Sequence, residues 1–537
     1  MLNVYSRESI VIYITEHFFE RVQLYIKGYT KNSISEKLNL KLMNIETNEI
    51  ISPQSFQMTD NKFEIRFNIV IAYNGNYIPS GKYKLVDESS INVKVRYDQS
   101  LFENNVRSYN RIFYNYKKNK NEYYALQLQE NVKEYQLNID FVTDFKTTIK
   151  SLPLNTIIRQ FRDKLFHFVF ILVFLFGKLT KSKKSNLVLF TSDSRASLTG
   201  NMLYVYDKML ELKLDKQFSI KYAFKEHLSS RRKFLDKMTF PFLLAKADYI
   251  IVDDYHPLLY NVKFSKEQEV VQLWHACGTF KTVGFSRLGK PDAPFIDSRV
   301  HRNYTKSYVS SNSDIMYYAE AFGIKEENVI PTGVPRTDIF FDKKYANTIR
   351  QKFLRKYTYM QNKRIILFAP TFRGGGHKSA YYPQEMLDFD RLASYCKSKN
   401  AIVLFKFHPF VREKIKIPGK YSLYIKDFSS YREVNDLLFL TDILVTDYSS
   451  LIYEYSILNG KMLFFAFDLD AYITSRDFYQ EYESFVPGKV VKTIDELMDA
   501  LYNEDFESYK VQPFYEKNFK YRDGKSSERV VRHLFRI

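Results

Sequence analysis

Hydrophobic and polar residues alternate with period two through much of the first 150 positions of the chain. The alternation is clearest over residues 21–26, 38–43, 62–70 and 91–97. Turn residues separate these stretches, at Asn74-Gly75 and at 79–81. Such alternation between turns is typical of antiparallel strands with one buried face. The pattern predicts a β-sandwich over residues 1–150, and because nothing in it has catalytic spacing, we expect an accessory or docking domain.

From residue 187 the pattern changes to short apolar runs separated by helix-length segments. The runs lie at 187–190, 249–252, 270–273, 365–368, 402–405, 443–445 and 462–465. This alternation is typical of βαβ units and predicts parallel sheets. About 350 residues of it exceed one ordinary doubly wound sheet. We therefore expect an α/β fold with two facing Rossmann-like lobes, 187–345 and 346–537, divided at a basic helical stretch.

A connector of residues 151–186 joins the two regions. Its apolar run, 165–176, is too short to span a bilayer, because a spanning helix needs about 20 residues. Basic residues flank the run: Arg159, Arg162, Lys164, Lys178, Lys181, Lys183 and Lys184. An apolar run with cationic flanks predicts a basic amphipathic helix that lies on an anionic membrane surface. A buried helix between domains is the alternative that the pattern leaves open.

Composition narrows the class of protein. Of the 537 residues, 45% are hydrophobic and 17% are aromatic, which excludes a disordered chain. The net charge of +19 predicts an anionic partner, but it does not choose among phosphates, acidic lipid and nucleic acid. Cys277 and Cys396 are too few for a disulfide framework, so we expect a reducing, cytosolic compartment. No signal peptide is visible at the N-terminus.

Two histidines follow predicted strands. In open parallel sheets, ligands bind beyond the carboxyl ends of the strands, so the residues there are the functional candidates. His275 comes after the strand at 270–273, and His408 ends the segment 401–408. An imidazole in that place suits proton transfer near neutral pH. A structural histidine bonded to a carbonyl group is the alternative.

Other strand ends carry side chains that suit phosphate. Arg336 projects from a turn after 329–333, where it could hold a phosphate with two hydrogen bonds, and Lys406 lies two residues before His408. Thr371 and Arg373 lead into three glycines whose backbone N–H groups could face an anion. These glycines match neither the Walker nor the Rossmann pattern, which disfavours a P-loop ATPase and a nicotinamide enzyme.

The segment 441–455 is the most informative part of the chain. A buried strand runs directly into Ser449 and Ser450, which open a helix. The free N–H groups at a helix start can bind a diphosphate, whereas ordinary N-capping is the alternative reason for serines there. Glu454, about one turn into the helix, could reach the sugar hydroxyls of a nucleotide bound at the helix start.

Together these pieces resemble the CDP-alditol phosphotransferases that polymerise teichoic acids. The shared motifs are WHACGTFK at 274–281, PTGVPRTD at 331–338, FAPTFRGG at 368–375, FKFHP at 405–409 and TDYSS at 446–450. The segments 20–28, 190–202, 252–260, 280–287 and 447–456 look closer still to the ribitol-phosphate polymerases of Gram-positive bacteria. One departure is Ala276-Cys277, where glycerol-phosphate polymerases tend to have Gly-Thr.

The resemblance implies a fold and a reaction. It implies a two-lobed architecture of glycosyltransferase-B type, with residues 187–345 on the acceptor side and 346–537 on the CDP-alditol donor side. The donor would be CDP-ribitol, and the acceptor an undecaprenyl-diphosphate-linked teichoic acid chain. The terminal hydroxyl of that chain would attack the β-phosphate that carries ribitol, with release of CMP. Such an enzyme would act peripherally at the cytoplasmic face of the membrane.

The resemblance also distributes roles among the candidate residues. His275 is the candidate base, and His408 would share proton transfer or orient the donor phosphate. Glu454 would bind the ribose. The diphosphate would be bound by Arg336, Arg373, Ser449 and Ser450, with Thr371 and Lys406 as weaker candidates.

Several alternatives stay open at this point. Asp253-Asp254 could hold a divalent ion, but capping or ion pairing is favoured, and we expect no essential metal or cofactor. The first rival is a CDP-glycerol enzyme, and the second is a sugar transferase of similar architecture. A non-enzymatic basic membrane-surface or nucleic-acid scaffold would explain the charge, although no nucleic-acid-binding module is visible. The sequence leaves the oligomeric state undetermined.

Overall fold

The structure is a computed structural model. It describes residues 10–31, 38–88, 93–98, 110–116, 119–129, 134–143, 154–181, 185–227, 230, 232–375 and 379–537. The N-terminal strands are β1 (Ile10–Glu20), β2 (Gln23–Thr30), β3 (Leu40–Asn44), β4 (Ile50–Ile51), β5 (Ser55–Thr59), β6 (Lys62–Asn68), β7 (Gly81–Asp87), β8 (Val93–Tyr97), β9 (Arg111–Asn115), β10 (Asn119–Leu128) and β11 (Gln136–Val142).

The later strands and the helices alternate along the chain. The strands are β12 (Leu187–Ser192), β13 (Ser219–Phe224), β14 (Tyr249–Val252), β15 (Glu269–Gln272), β16 (Lys306–Tyr308), β17 (Val329–Ile330), β18 (Arg364–Phe368), β19 (Ala401–Phe405), β20 (Ile425–Asp427), β21 (Ile443–Thr446), β22 (Lys461–Phe465) and β23 (Lys489–Val491). The helices are α1 (Leu154–Leu179), α2 (Asn201–Glu211), α3 (Phe234–Lys246), α4 (Ile315–Phe322), α5 (Lys343–Lys356), α6 (Phe389–Ser398), α7 (Val434–Leu438), α8 (Leu451–Ile457), α9 (Leu469–Arg476), α10 (Tyr482–Phe485), α11 (Ile494–Asn503), α12 (Val511–Asn518) and α13 (Ser526–Phe535).

The N-terminal region is β-rich, as its alternating pattern predicts. One sheet has the order β5-β6-β2-β1-β8 and the other β4-β3-β7-β11-β10-β9. Inward residues of both sheets, such as Ile26 and Leu126, share one hydrophobic core. Asn74 and Gly75 both have positive φ, and the residues on either side of them exchange backbone hydrogen bonds, so they form a tight two-residue turn.

The N-terminal sheets are fixed to the rest of the chain. Their core continues into Phe285 and Phe295, which belong to the long loop after β15. Buried Glu320 of α4 accepts hydrogen bonds from Arg21, at 2.7 Å, and from Gln23, at 2.9 Å. The region therefore braces the loop that begins at the predicted catalytic histidine.

The remainder of the chain contains two six-stranded parallel sheets. The first has the order β13-β12-β14-β15-β16-β17, and the second β20-β19-β18-β21-β22-β23. All strand pairs in both sheets are parallel, which confirms that prediction. The carboxyl ends of the strands in each sheet consequently lie at one common edge.

The last helix returns to the first sheet. Val530, Val531 and Leu534 of α13 pack with Val188 and Phe190 of β12 in one core. The apolar face of α13 thus covers the first sheet, although α13 follows the last strand of the second sheet. The predicted lobes, 187–345 and 346–537, divide the chain at a single point. They therefore assign α13 to the second lobe, although it packs on the first sheet.

Helix α1 is longer than its apolar run and has two different faces. Phe170 and Phe174 are buried in a core shared with α3. A Cβ atom on Gly177 would lie only 2.8 Å from Cβ of Ala245, so the two helices are in close contact. The opposite face is apolar and exposed. Among the described residues, no helix has the length and apolar character needed to cross a membrane. The predicted flanking residues Lys183 and Lys184 lie outside the described residues.

Candidate functional site

Segments that follow the strands of the two sheets meet in a close contact. Lys281, after β15, forms an isolated β-bridge with Phe478, after α9. The ring of Phe280 packs against that of Phe478, with centroids 5.0 Å apart. Gly278 has a φ of 59°, and a Cβ there would lie 2.1 Å from the Tyr453 ring of α8. Glycine is therefore required at 278, both by the backbone conformation and by the approach of the second sheet.

His275 is presented by a strained residue. Trp274 has a φ of 53°, a conformation that bulky residues rarely adopt and that often marks functional sites. Its N–H donates to Gln272 at 2.8 Å, and its carbonyl accepts from Asn201 at 2.7 Å. Its ring packs against Phe322. These contacts hold the turn that leaves the His275 side chain 44% exposed at the strand end, as predicted.

The His275 imidazole has a carboxylate partner. Its Nδ1 lies 3.3 Å from Oδ1 of Asp254. The Ser194 hydroxyl donates to the Asp254 carboxylate at 2.8 Å, and the Tyr255 N–H donates at 2.7 Å. Burial acts to raise the pKa of Asp254, but His275 and these hydrogen bonds outweigh it and hold the pKa well below its ordinary value.

The neighbouring Asp253 is engaged differently. Its buried carboxylate forms an ion pair with Arg195 at 2.6 Å. Burial raises the pKa of Asp253 to about 6, although Arg195 opposes the shift. Asp253 thus forms an ion pair with Arg195, and Asp254 is in contact with the His275 imidazole. Within the part of the chain that the structure describes, no three His, Cys, Asp or Glu side chains come together to hold a metal ion.

Arg336 and Glu454, predicted to bind different parts of the donor, are bonded to each other. The guanidinium of Arg336, in the segment after β17, donates a hydrogen bond to the carboxylate of Glu454 in α8, and the Glu454 side chain is fully buried. The Cys277 thiol lies 3.6 Å from the same carboxylate oxygen. The backbone N–H of Arg336 donates to Asn201 at 2.9 Å, so one amide side chain joins the turns that carry His275 and Arg336.

Arg373 is enclosed by acidic partners. It donates to Asp468 at 2.6 and 2.8 Å and to Asp447 at 2.9 Å. A further bond of 2.5 Å reaches the Thr371 carbonyl, and the Thr371 N–H donates to Asp447 at 2.7 Å. Most of the donors on this guanidinium therefore point at protein carboxylates. Its contacts support a role in ordering the loop after β18, and its binding of diphosphate stays a prediction.

The other predicted phosphate ligands follow β19 and β21, the two strands on either side of β18 in the second sheet. The Lys406 ammonium donates to the Ser429 carbonyl at 3.1 Å, and burial lowers the pKa of Lys406. His408 is partly exposed, and its Nδ1 accepts from the Phe410 N–H at 3.1 Å. Ser449 and Ser450 are half-buried at the start of α8. The Ser449 hydroxyl accepts the Leu451 N–H at 3.3 Å, which is a local contact of the N-capping kind.

Lys281 is a candidate that sequence reasoning passed over. It ends the motif at 274–281, and its Nζ lies 3.4 Å from the Tyr472 hydroxyl between the halves. Burial lowers the pKa of Lys281 to about 8; Asp447 opposes this shift, and Arg476 and Arg373 add to it. The approach of three cationic side chains suits an anionic substrate. A lysine shortly after a strand-end histidine was the available signal.

An accessible imidazole at the edge of one sheet and cationic side chains between the two sheets are groups that a transferase for phosphorylated substrates needs. A family model described as CDP-Glycerol:Poly(glycerophosphate) glycerophosphotransferase matches residues 173–536. The chain belongs to this family, and the resemblance read from the motifs is confirmed.

Relatives and solved structures agree with this assignment. The chain is 47% identical to teichoic acid ribitol-phosphate polymerase TarL of Staphylococcus aureus (strain NCTC 8325 / PS 47), over 98% of this chain and 99% of that protein. It is 38% identical to a teichoic acid poly(ribitol-phosphate) polymerase of Bacillus spizizenii (strain ATCC 23059 / NRRL B-14472 / W23), over 91% and 79% of the two chains. The solved structure of wall teichoic acid polymerase TagF superposes with a TM-score of 0.55 at 21% identity, covering 71% of this chain and 97% of that one. At that identity, the TagF likeness concerns the fold.

Proposed function

We propose that this protein is a CDP-ribitol ribitolphosphotransferase that polymerises poly(ribitol phosphate) wall teichoic acid. The observation that carries the proposal is the 47% identity to a ribitol-phosphate polymerase over nearly the whole of both chains. The donor is CDP-ribitol, and the acceptor is an undecaprenyl-diphosphate-linked teichoic acid chain. Residues 187–345 form the acceptor lobe and 346–537 the donor lobe of a glycosyltransferase-B type arrangement, to which α13 adds its return contact.

In the proposed reaction, the terminal hydroxyl of the acceptor attacks the β-phosphorus that carries ribitol. A new oxygen–phosphorus bond forms, the bond from that phosphorus to the bridging oxygen breaks, and CMP leaves with the bridging oxygen. His275 takes the hydroxyl proton. Lys281 and Arg476 offset the negative charge of the transferring phosphoryl group, because both lie where the two halves meet.

The remaining candidates support donor binding. Thr371 follows β18, Ser449 and Ser450 follow the neighbouring strand β21, and His408 follows β19 on the other side of β18. Arg336 and Glu454 form a hydrogen bond between the two lobes, and they can exchange that bond for contacts with donor phosphate and ribose. Arg373 and Lys406 hold the loops that carry these groups, through Asp447 and Ser429 respectively.

The decisive test compares CMP release from CDP-ribitol and CDP-glycerol, each with a lipid-linked acceptor. We expect turnover with CDP-ribitol and much less with CDP-glycerol; the reverse order would assign the protein to the glycerol branch. A general base typically contributes about 10² to 10⁴ in rate, so His275→Ala should lose at least about a hundredfold in kcat while CDP-ribitol still binds. Unchanged turnover in this variant would remove His275 from the chemistry.

We further propose that α1 rests on the cytoplasmic face of an anionic membrane. An apolar stripe of exposed side chains runs along it at spacings of three and four: Ile158, Phe161, Leu165, Phe168, Leu172, Leu175 and Leu179. Leu235 and Met238 of α3, the helix packed beside α1, are also exposed. Exposed Arg159, Arg162 and Lys164 supply charge complementary to anionic headgroups. A lipid-linked acceptor would then meet the enzyme at the same surface.

Flotation with vesicles tests this placement. We expect the protein to float with phosphatidylcholine vesicles that contain phosphatidylglycerol, and Leu165→Glu/Phe168→Glu/Leu172→Glu to stay in solution. Leu423→Glu, at another exposed apolar residue, is the matched control and should float like the parent. Equal flotation of the triple variant would refute the proposal. A dimer that dissociates in the triple variant, without vesicle binding by the parent, would show that a second copy covers the stripe instead.

A further inference from the structure

Two segments near His275 have no role in the reaction as proposed so far. Ser194 lies in the loop after β12, and Asp254 in the loop after β14. These strands are neighbours in the first sheet, so parallel pairing brings their carboxyl ends together. Ser194, Asp254 and His275 consequently form a continuous chain of contacts at 2.8 and 3.3 Å.

The carboxylate of Asp254 is itself held in place. Oδ1 of Asp254 accepts the Tyr255 N–H at 2.7 Å, and Oδ2 accepts the Ser194 hydroxyl. Because both oxygens are engaged by fixed groups, the carboxylate cannot rotate freely. The imidazole, by contrast, is 44% exposed and would sample several orientations without a partner.

We infer that Asp254 is a positioning residue for His275, which it orients through Nδ1. An Nδ1–H that donates to Asp254 leaves the Nε2 lone pair free and directed away from the carboxylate, toward the acceptor hydroxyl. The proton taken from that hydroxyl goes to Nε2, and the resulting imidazolium is balanced by the Asp254 carboxylate. This inference rests on the proposed function, in which His275 is the base.

Other charged and titratable groups lie near His275 and Asp254, and they can also affect the pH profile of the reaction. Asp253 and its partner Arg195 lie on the same edge of the sheet, and buried His301 lies beneath Trp274. Asp253 interacts electrostatically with His275, and Asp254 with His301. Of the two aspartates, only Asp254 lies within 4.0 Å of a His275 nitrogen.

The experiment measures kcat, KM and the pH profile of kcat/KM for CMP release by Asp254→Asn in the full-length protein. We expect kcat to fall on the order of a hundredfold or more, with little change in the KM for CDP-ribitol. The acid limb of the profile should move, because Asp254 is in contact with a nitrogen of the proposed base. A purely structural role would not move this limb.

Three further variants complete the test. Asp254→Glu restores the charge and should recover part of kcat, and Ser194→Ala should give an intermediate loss. Asp248→Asn is the matched control: Asp248 forms an ion pair with Lys181 at the opposite end of β14, so its loss should lower the melting temperature without moving the acid limb. Normal kcat and an unmoved limb in Asp254→Asn would overturn the inference. Failure of the parent protein to release CMP from either CDP-alditol would instead overturn the proposed function.

Discussion

Replacing Glu454 with glutamine should destabilise the protein, because the largely buried Arg336 guanidinium would then lack its charged partner. Glu454 is fully buried, and the Arg336 side chain is only 18% exposed. Removing one partner of a buried ion pair costs about 3–5 kcal/mol, and the partial exposure of Arg336 places this pair at the lower end. A glutamine oxygen still accepts a hydrogen bond, which returns about 1 kcal/mol. The net loss is about 2 kcal/mol.

Thermal unfolding measures this loss. A cooperative unit of about 150–250 residues, the size of each proposed lobe, loses roughly 2–4 °C per kcal/mol, so the melting temperature of the lobes should fall by about 4–8 °C. Arg336→Met removes the other partner, and the double variant completes a thermodynamic cycle. We expect the double variant to be more stable than the sum of the single effects predicts, since neither charge is then left alone. Additive effects, or a Glu454→Gln melting temperature within 1 °C of the parent, would show that the contact does not hold the halves together.

The remaining predictions concern the loop after β15 and the source of positive charge. Gly278→Ala should lower both activity and melting temperature, because its Cβ would collide with Tyr453; parent-like values in a melting curve and a CMP-release assay would contradict the close contact. The KM for CDP-ribitol should rise as the pH increases through about 8, where Lys281 loses its proton, whereas Lys281→Arg should keep a flat KM up to pH 9. A parent KM that stays constant from pH 7 to 9 would exclude Lys281 from donor binding. Activity should persist in excess chelator, since protein cations supply the charge, and complete, reversible loss would reveal an essential metal.

The longer buried strands were predictable from the sequence, whereas most of the very short or exposed strands were not. Strands such as β12 and β19 are buried along their whole length, so they appear as continuous apolar runs. Edge strand β13 is largely exposed, and edge strands β20 and β23 are only three residues long. None of these three strands therefore appears as an apolar run in the sequence. The path of α13 back to the first sheet depends on packing that no local pattern encodes.

The sequence predicted which residues of the candidate site follow strands, but it did not predict which side chains those residues contact. The sequence shows that His275 follows a predicted strand, and the carboxyl ends of the strands in a parallel sheet lie at one edge. The position of His275 at that edge was therefore predictable. Arg373 was predicted to bind phosphate, yet its acidic partners Asp447 and Asp468 lie 74 and 95 residues further along the chain. For the same reason Asn201 was passed over and Asp254 was considered only as a metal ligand, a cap or an ion-pair partner, since their contacts join distant segments.

The return of α13 also determines how the two halves can move. The chain passes from the first sheet to the second through α5, and it comes back between α12 and α13. Asp338, just before α5, accepts the backbone N–H groups of Ser526 and Ser527 at 2.8 Å each, so both covalent passages run side by side. Two covalent passages at one place, joined by the Asp338 carboxylate, restrict relative movement of the two halves beside Asp338.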